Sequence, residues 1–176
     1  MLKRSAALLL PFALAACAPS MMAPNASTAD GLFLQAVTGS NLFEIQSSQV
    51  ALQKSNTAAV RAYAQQMINE HTTAQNQVAA LAAARRVPLP TALPPELQLK
   101  VTTLSGLNGA DLDAAYIREQ ILSHQFTVSI FQNQQTAGRD AEVVAFANQN
   151  LPLIQRHLQE AQALGGGAAP AGHAGH

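Results

Sequence analysis

Along four stretches of the chain, apolar residues return every three or four positions, the spacing that lines up one face of an α-helix. Phe33, Val37, Ser40, Glu44, Ser47 and Ala51 form the first stripe and predict a helix from Asp30 to Lys54. Val60, Ala64, Met67, His71, Ala74 and Val78 form the second. Ser55 or Asn56 is its expected cap, and Arg85 and Arg86 suit the negative end of the helix. Ile117, Gln120, His124, Val128 and Phe131 predict a third helix from Asp111 to Thr136, ended by Gly138. Val143, Ala147, Asn150, Ile154, His157, Leu158 and Ala161 predict a fourth from Asp140 to Leu164, with a kink expected at Pro152.

Between the second and third helices the pattern breaks. Pro88, Pro90, Pro94 and Pro95 hold the backbone extended. A short helix from Glu96 to Leu104 then runs into Ser105-Gly106. This connection is long enough to cross a bundle from end to end.

The two ends read differently. Lys3 and Arg4 precede an apolar run from Ala6 to Ala16, too short to span a bilayer and shaped like a secretory leader. Leu14-Ala15-Ala16-Cys17 resembles the bacterial lipobox, which implies that residues 1–16 are removed and that Cys17 receives the lipid. Residues 17–29 lack an apolar period and read as a tether. Residues 30–164 are the helical domain. Residues 165–176 begin with Gly165-Gly166-Gly167, expected to stop the last helix, and continue as an Ala/Pro/Gly/His tail expected to be disordered. Its His173 and His176 have weak metal affinity at most, as a solvated low-complexity end.

Composition narrows the function. Cys17 is the single cysteine, so the fold relies on core burial rather than disulfides. With Lys3 and Arg4 lost in the leader, eight basic residues face ten acidic ones, a balance that gives nucleic acid nothing to bind. The expected partner is a membrane, through the lipid on Cys17. Ala18 lacks the acidic character associated with inner-membrane retention, which favours the outer membrane, facing the periplasm.

Glu44, His71 and His124 fall near the centres of their stripes and His157 nearer an edge, so one acid and three imidazoles point into the bundle. With a crossing connection between helices two and three, all four lie about 13 to 17 residues from one common end, at similar heights. A local turn would separate His157 from the rest. One site therefore requires the crossover, the arrangement of ferritin-like bundles.

Residues from Phe33 to Leu164 are similar to an exported ferritin-like family, domain of unknown function 4142, whose members are often labelled outer-membrane proteins. The matching pieces are Phe33 with Glu44-Ile45, Tyr63-Ala64-Gln65-Gln66-Met67 with Glu70-His71-Thr72, and Leu104-Ser105-Gly106 with Asp113-Ala114-Ala115-Tyr116 and His124. Phe146-Ala147, Leu151-Pro152 and His157-Leu158 complete them. Where the family usually has Asp before the histidines of helices two and three, this chain has Glu70 and Ser123. The resemblance implies an all-α, ferritin-like four-helix bundle and assigns no biochemical role.

Three classes of function follow. The first is a binding module in which Glu44, His71, His124 and His157 hold one divalent transition metal, zinc, iron, copper or manganese. The second is a structural or interaction lipoprotein whose buried Glu and His form a hydrogen-bond network completed by Asn150 and Gln120. An enzyme is the least supported. No nucleophile elbow or phosphate-cradling loop is present in the sequence. The Glu-x-x-His pairs of di-iron bundles are missing too: Ser47 follows Glu44 at that distance, and Ile121 and Ile154 precede His124 and His157. Tyr63 and Tyr116 are expected in the core with hydrogen-bonded hydroxyls, and Asp113 at the start of helix three, too far along it to join the site.

Overall fold

A computed structural model describes residues 26–167. The leader, Cys17, most of the tether, and His173 and His176 lie outside the described residues. Five helices follow one another: α1 Ala29–Lys54, α2 Ala58–Arg85, α3 Pro95–Gly106, α4 Gly109–Ala137 and α5 Ala141–Gly167. The four long ones form the bundle, and α3 lies within the crossover. Among the described residues there is no strand, and no helix is long and apolar enough to cross a membrane.

Side-chain pairs fix the directions. Ser40 pairs with Thr127, Ser48 with Tyr116 and Asp30 with Gln134, so α4 descends as α1 rises. On α2, Gln75 pairs with Thr38 and Asn41 of α1, and the two helices are joined by the short turn at Ser55. Both α2 and α4 are therefore antiparallel to α1 and parallel to each other. The expected crossover is present, pinned at both ends of α1: Gln35 donates to the Pro88 carbonyl at 2.8 Å, and Lys54 donates to that of Ser105.

Helix boundaries follow local chemistry. Thr28 caps α1, its hydroxyl accepting from the Gly31 N–H at 3.1 Å. The cap residue of α2 is Thr57, not Ser55 or Asn56. The Ser55 hydroxyl instead accepts from the Thr57 N–H, and the Thr57 hydroxyl is used across the bundle on Asp113, at 2.6 Å. Arg86 takes the left-handed conformation, φ 55°, which lets the Val87 N–H reach back to the Ala82 carbonyl and puts Val87 into the core. Asp140 accepts from the N–H groups of Glu142 and Val143 as α5 begins. The last helix runs unbroken through Pro152, whose exposed position leaves the freed carbonyl to water, and continues to Gly167 instead of stopping at Leu164. At Gly165 a Cβ would meet Ile117 and Ile121 at 3.4 Å, ordinary van der Waals contact, so α5 lies against α4 there.

The core has two apolar halves. At one end Phe33 meets Phe131 and Phe146 edge-on, with centroids 5.1 and 6.2 Å apart, over Val37, Val143 and Ile154. At the other, Tyr63, Met67, Leu112, Tyr116 and Ala161 pack together. Between them, at mid-height, lies a buried polar layer of Glu44, His71, Gln120, His124 and His157. Helix α1 differs from the single stripe expected of it. Leu34, Asn41, Phe43 and Ser48 are buried as well: Leu34 joins the phenylalanine end of the core, Asn41 faces α2, Ser48 faces α4, and the crossover covers the outer flank, where Phe43 packs with Leu93 and Val101. A helix buried over most of its circumference loses most of its amphipathic pattern. Val128, Asn150 and Leu158, expected inside, are half-buried.

Candidate metal centre

Three helices deliver one imidazole each to the polar layer: His71 from α2, His124 from α4 and His157 from α5. All are 1 % exposed, including His157, whose stripe position is off centre. Their ring centroids form a nearly equilateral triangle with sides of 5.6, 5.3 and 5.4 Å. One ring nitrogen from each lies within 4.8 Å of the other two.

Each ring is oriented from behind. His71 Nδ1 is 2.9 Å from Asn41 Oδ1, and the Asn41 amide nitrogen donates onward to Gln75 Oε1, which fixes the amide's direction. His124 Nδ1 donates to the Gln120 backbone carbonyl at 2.8 Å, one helical turn back. His157 Nε2 is 2.5 Å from a Glu70 carboxylate oxygen. A carbonyl or a carboxylate accepts only, so the proton of every ring sits on its outer nitrogen. The inner nitrogens, His71 Nε2, His124 Nε2 and His157 Nδ1, are buried with no hydrogen-bond partner among the described residues. Three lone pairs thus converge without a donor between them.

Electrostatics keep the His71 and His157 rings uncharged. Burial pushes the His71 imidazole well below its usual range, reinforced by His124 and His157. Burial likewise pushes His157 down to about 4, against the opposing pull of the Glu70 carboxylate. Their lone pairs therefore stay available well into the acid range.

Glu44 is buried at the same height but outside this triangle. Its Oε1 accepts from the Ser123 hydroxyl and lies 3.9 Å from His124 Nδ1, the outer nitrogen of that ring. Its Oε2 has no partner among the described residues, and burial raises its pKa against the opposing effects of His124, Ser123 and Gln120. Of the four residues singled out in the sequence, the fold brings the three histidines together and sets the acid behind one of them.

Helical geometry concealed the rest of the layer. Glu70 is adjacent to His71 in sequence, yet its side chain leaves α2 toward α5 and serves His157, with Arg156 on its outer side at 3.1 Å. Asn41 lies off the α1 stripe, and Ser123 occupies the position before His124. A polar residue flanking a stripe histidine was the available signal. Asn150 joins no histidine: its amide donates to the Phe146 carbonyl. Gln120 contributes its backbone carbonyl to His124 and its amide to Ser47. Tyr63 and Tyr116 are core residues with engaged hydroxyls, donating to the His157 carbonyl and pairing with Ser48 respectively. Asp113 ties the start of α4 to α2.

Fold and site together define a class: an all-helical bundle with a crossover and a buried imidazole triad in its polar mid-layer. The chain belongs to the family described as Domain of unknown function (DUF4142), whose family model matches residues 15–164. No curated protein matches it. Among solved structures it is similar to a DUF305 fragment from Deinococcus radiodurans, with a TM-score of 0.72 and 19% identity, covering 81% of this chain and 99% of that one. It is also similar to a DUF305 protein from Streptomyces coelicolor whose name refers to a secreted protein. That match has a TM-score of 0.69 and 14% identity over 84% of this chain and 99% of the other. At these identities the likeness concerns the fold.

Proposed function

We propose that this protein is an envelope lipoprotein, anchored through Cys17 to the outer membrane and facing the periplasm, whose ferritin-like bundle holds one divalent transition-metal ion between His71, His124 and His157. The observation that carries the metal reading is the convergence of three buried lone pairs, each on a ring whose proton is held outward. A hydrogen-bond network would put a donor among those nitrogens, because an unpartnered buried acceptor costs about 1–3 kcal/mol. An electron-pair acceptor satisfies all three at once.

Neutral imidazoles suit zinc and copper better than manganese, which prefers oxygen ligands. A dication among neutral rings requires buried countercharge. Glu70, hydrogen-bonded to His157, would supply it through the ring, as outer carboxylates do in histidine metal sites, and Glu44, 3.9 Å from His124, would supply it through space.

The test is metal analysis of the mature chain carrying His173→Asn and His176→Asn, which removes the tail imidazoles. One zinc or copper ion per chain, retained through dialysis, is expected, together with a raised melting temperature, since a ligand of the folded state stabilises it by mass action. The triad variants His71→Asn, His124→Asn and His157→Asn are each expected to lose the ion. Apo and metal-treated protein melting alike, with no ion retained, would establish the internal network instead.

A further inference from the structure

Four large apolar side chains are exposed among the described residues, and two of them, Leu122 at 49 % and Phe126 at 67 %, stand one turn apart on the outer face of α4. Between Asp111 and Arg139 the exposed positions of that helix carry a single charge, Arg118, one turn before Leu122. Its nearest carboxylate, Glu119, is 4.0 Å away and already held by Lys100 at 2.6 Å, so the exposed guanidinium is free for another partner. Few charges, an arginine and an aromatic ring are the composition of a protein contact rather than of a solvated helix face. Beside this ridge runs an apolar groove of about 670 Å³, walled by Val60 of α2, Ala114, Ile117 and Ile121 of α4 and Leu164 of α5, with Arg118 along it.

We infer that this face of α4 is the contact surface of a two-fold symmetric homodimer: two copies of α4 pack antiparallel about an axis at Leu122, and Phe126 of each copy enters the other's groove beside Arg118. In such a pair, residues equally far before and after the axis face one another. Leu122 meets its own counterpart, Arg118 meets Phe126, Ala114 meets the half-buried Ile130, and Asp111 meets Asn133. The pairs are apolar with apolar, a guanidinium on an aromatic ring, and a carboxylate with an amide. No like charges oppose, since the two Arg118 side chains stand eight residues apart along the helices, about 12 Å.

Other axes along the same face fit less well. One at Arg118 would oppose two guanidinium groups. One at Phe126 would set Arg118 against the buried Gln134 and leave the groove empty, and one midway between Leu122 and Phe126 would set it against Ile130. Size agrees with the Leu122 axis. From Asp111 to Asn133 the face is about 33 Å long, and at a helix width of about 10–12 Å it presents roughly 350 Å², short of the ~800 Å² per partner of a stable interface. Seating Phe126 in the opposite groove adds roughly 150–250 Å² of ring and about as much groove wall to each side, which brings the contact near that size.

The experiment uses the mature chain carrying Cys17→Ala, His173→Asn and His176→Asn, in the presence of a chelator, so that neither lipid nor metal on the tail joins two copies. Sedimentation velocity over a dilution series is expected to show a monomer–dimer equilibrium. Leu122→Glu, which opposes two carboxylates at the axis, and Phe126→Ser, which empties both grooves, are each expected to weaken it at least about tenfold. Both side chains are exposed, so the melting curve of the monomer should be unchanged, and Leu32→Glu, at an equally exposed leucine on α1, should leave the dimer intact. Single cysteines read the register, because Cys17 is the only native one. Leu122→Cys is expected to close a disulfide with its own copy on oxidation, and Arg118→Cys only with Phe126→Cys. A chain that stays monomeric at every concentration, or an association indifferent to both Leu122→Glu and Phe126→Ser, would overturn the interface. Disulfide formation between two Arg118→Cys chains would overturn the axis at Leu122.

Discussion

Glu70 follows Asn69 and precedes His71 on α2, yet the histidine it holds is His157 of α5, whose Nε2 lies 2.5 Å from its carboxylate. Neighbours on a helix diverge by about 100°, so an acid beside one ligand is free to orient another across a seam. Glu70→Gln keeps an acceptor for the imidazole but removes the charge. It is expected to preserve the fold and to weaken metal binding by about 10- to 100-fold, the scale of an outer carboxylate behind a histidine ligand. Competition against a chelator of known affinity measures this, and an unchanged affinity would mean that Glu70 only shapes the surface.

The same burial that silences the histidines makes the metal-free protein acid-sensitive. His71 and His157 have folded pKa values below the ordinary 6.5, His157 at about 4. The unfolded chain therefore takes up protons that the folded chain refuses, and stability falls as pH drops from about 6.5 toward 4. For His157 alone the loss is roughly 3 kcal/mol across that window. Urea unfolding of the metal-free protein at stepped pH should show the decline. A flat stability between pH 7 and 5 would mean that these rings are not held neutral.

The crossover and the triad were legible in the sequence for one reason: four stripe positions share a height only if the proline-rich segment spans the bundle. His71 and His124 stood at stripe centres, and His157 was recoverable from its height despite its angle. Asn41, Glu70 and Ser123 were not legible as parts of the layer. They lie off the stripes, and which helix faces them is decided by packing rather than by periodicity. The buried flank of α1 was hidden for a related reason, since Phe43 owes its burial to a connection that a single-helix pattern does not contain. Glu44 was legible as a buried acid, but a helical wheel does not distinguish a side chain inside the triangle of rings from one behind it.

Asp30 tests the integrity of the far end. It is 3 % exposed and accepts from the Gln134 amide at 2.5 Å and from the backbone N–H groups of Arg139 and Asp140 at 3.1–3.2 Å, tying α1 to the turn between α4 and α5. Asp30→Ala strands these donors. A loss of about 1–3 kcal/mol in urea unfolding is expected, with metal affinity unchanged because the layer lies several turns away. A coupled loss of metal would show that the two ends are not independent.

Cys17 tests the anchor. Expressed in a Gram-negative host, the parent chain is expected in the membrane fraction with a lipid label. Cys17→Ala is expected in the soluble periplasmic fraction, without one. Tight membrane association of the unlabelled variant would sink the lipoprotein assignment.

Glu44 separates stability from function most sharply. Its folded pKa is raised by burial, so the group favours folding below the ordinary carboxylate range and that contribution is lost as pH rises through the folded value. A charged Glu44 in the metal-free bundle is therefore a cost at neutral pH, and Glu44→Gln, of the same shape, removes it. Metal-free Glu44→Gln should melt higher than the parent at pH 7–8, and the gap should close on acidification below about 4.5, where the parent's carboxyl is protonated in both states. Metal binding should change in the opposite direction: one ion per chain is still expected, because the three rings remain, but with weaker affinity once the countercharge behind His124 is gone. Calorimetric melting of both proteins, with and without zinc, reads the two effects separately. A variant that loses the ion altogether would make Glu44 a direct ligand, and one with unaltered affinity would leave the dication to be balanced by Glu70 alone.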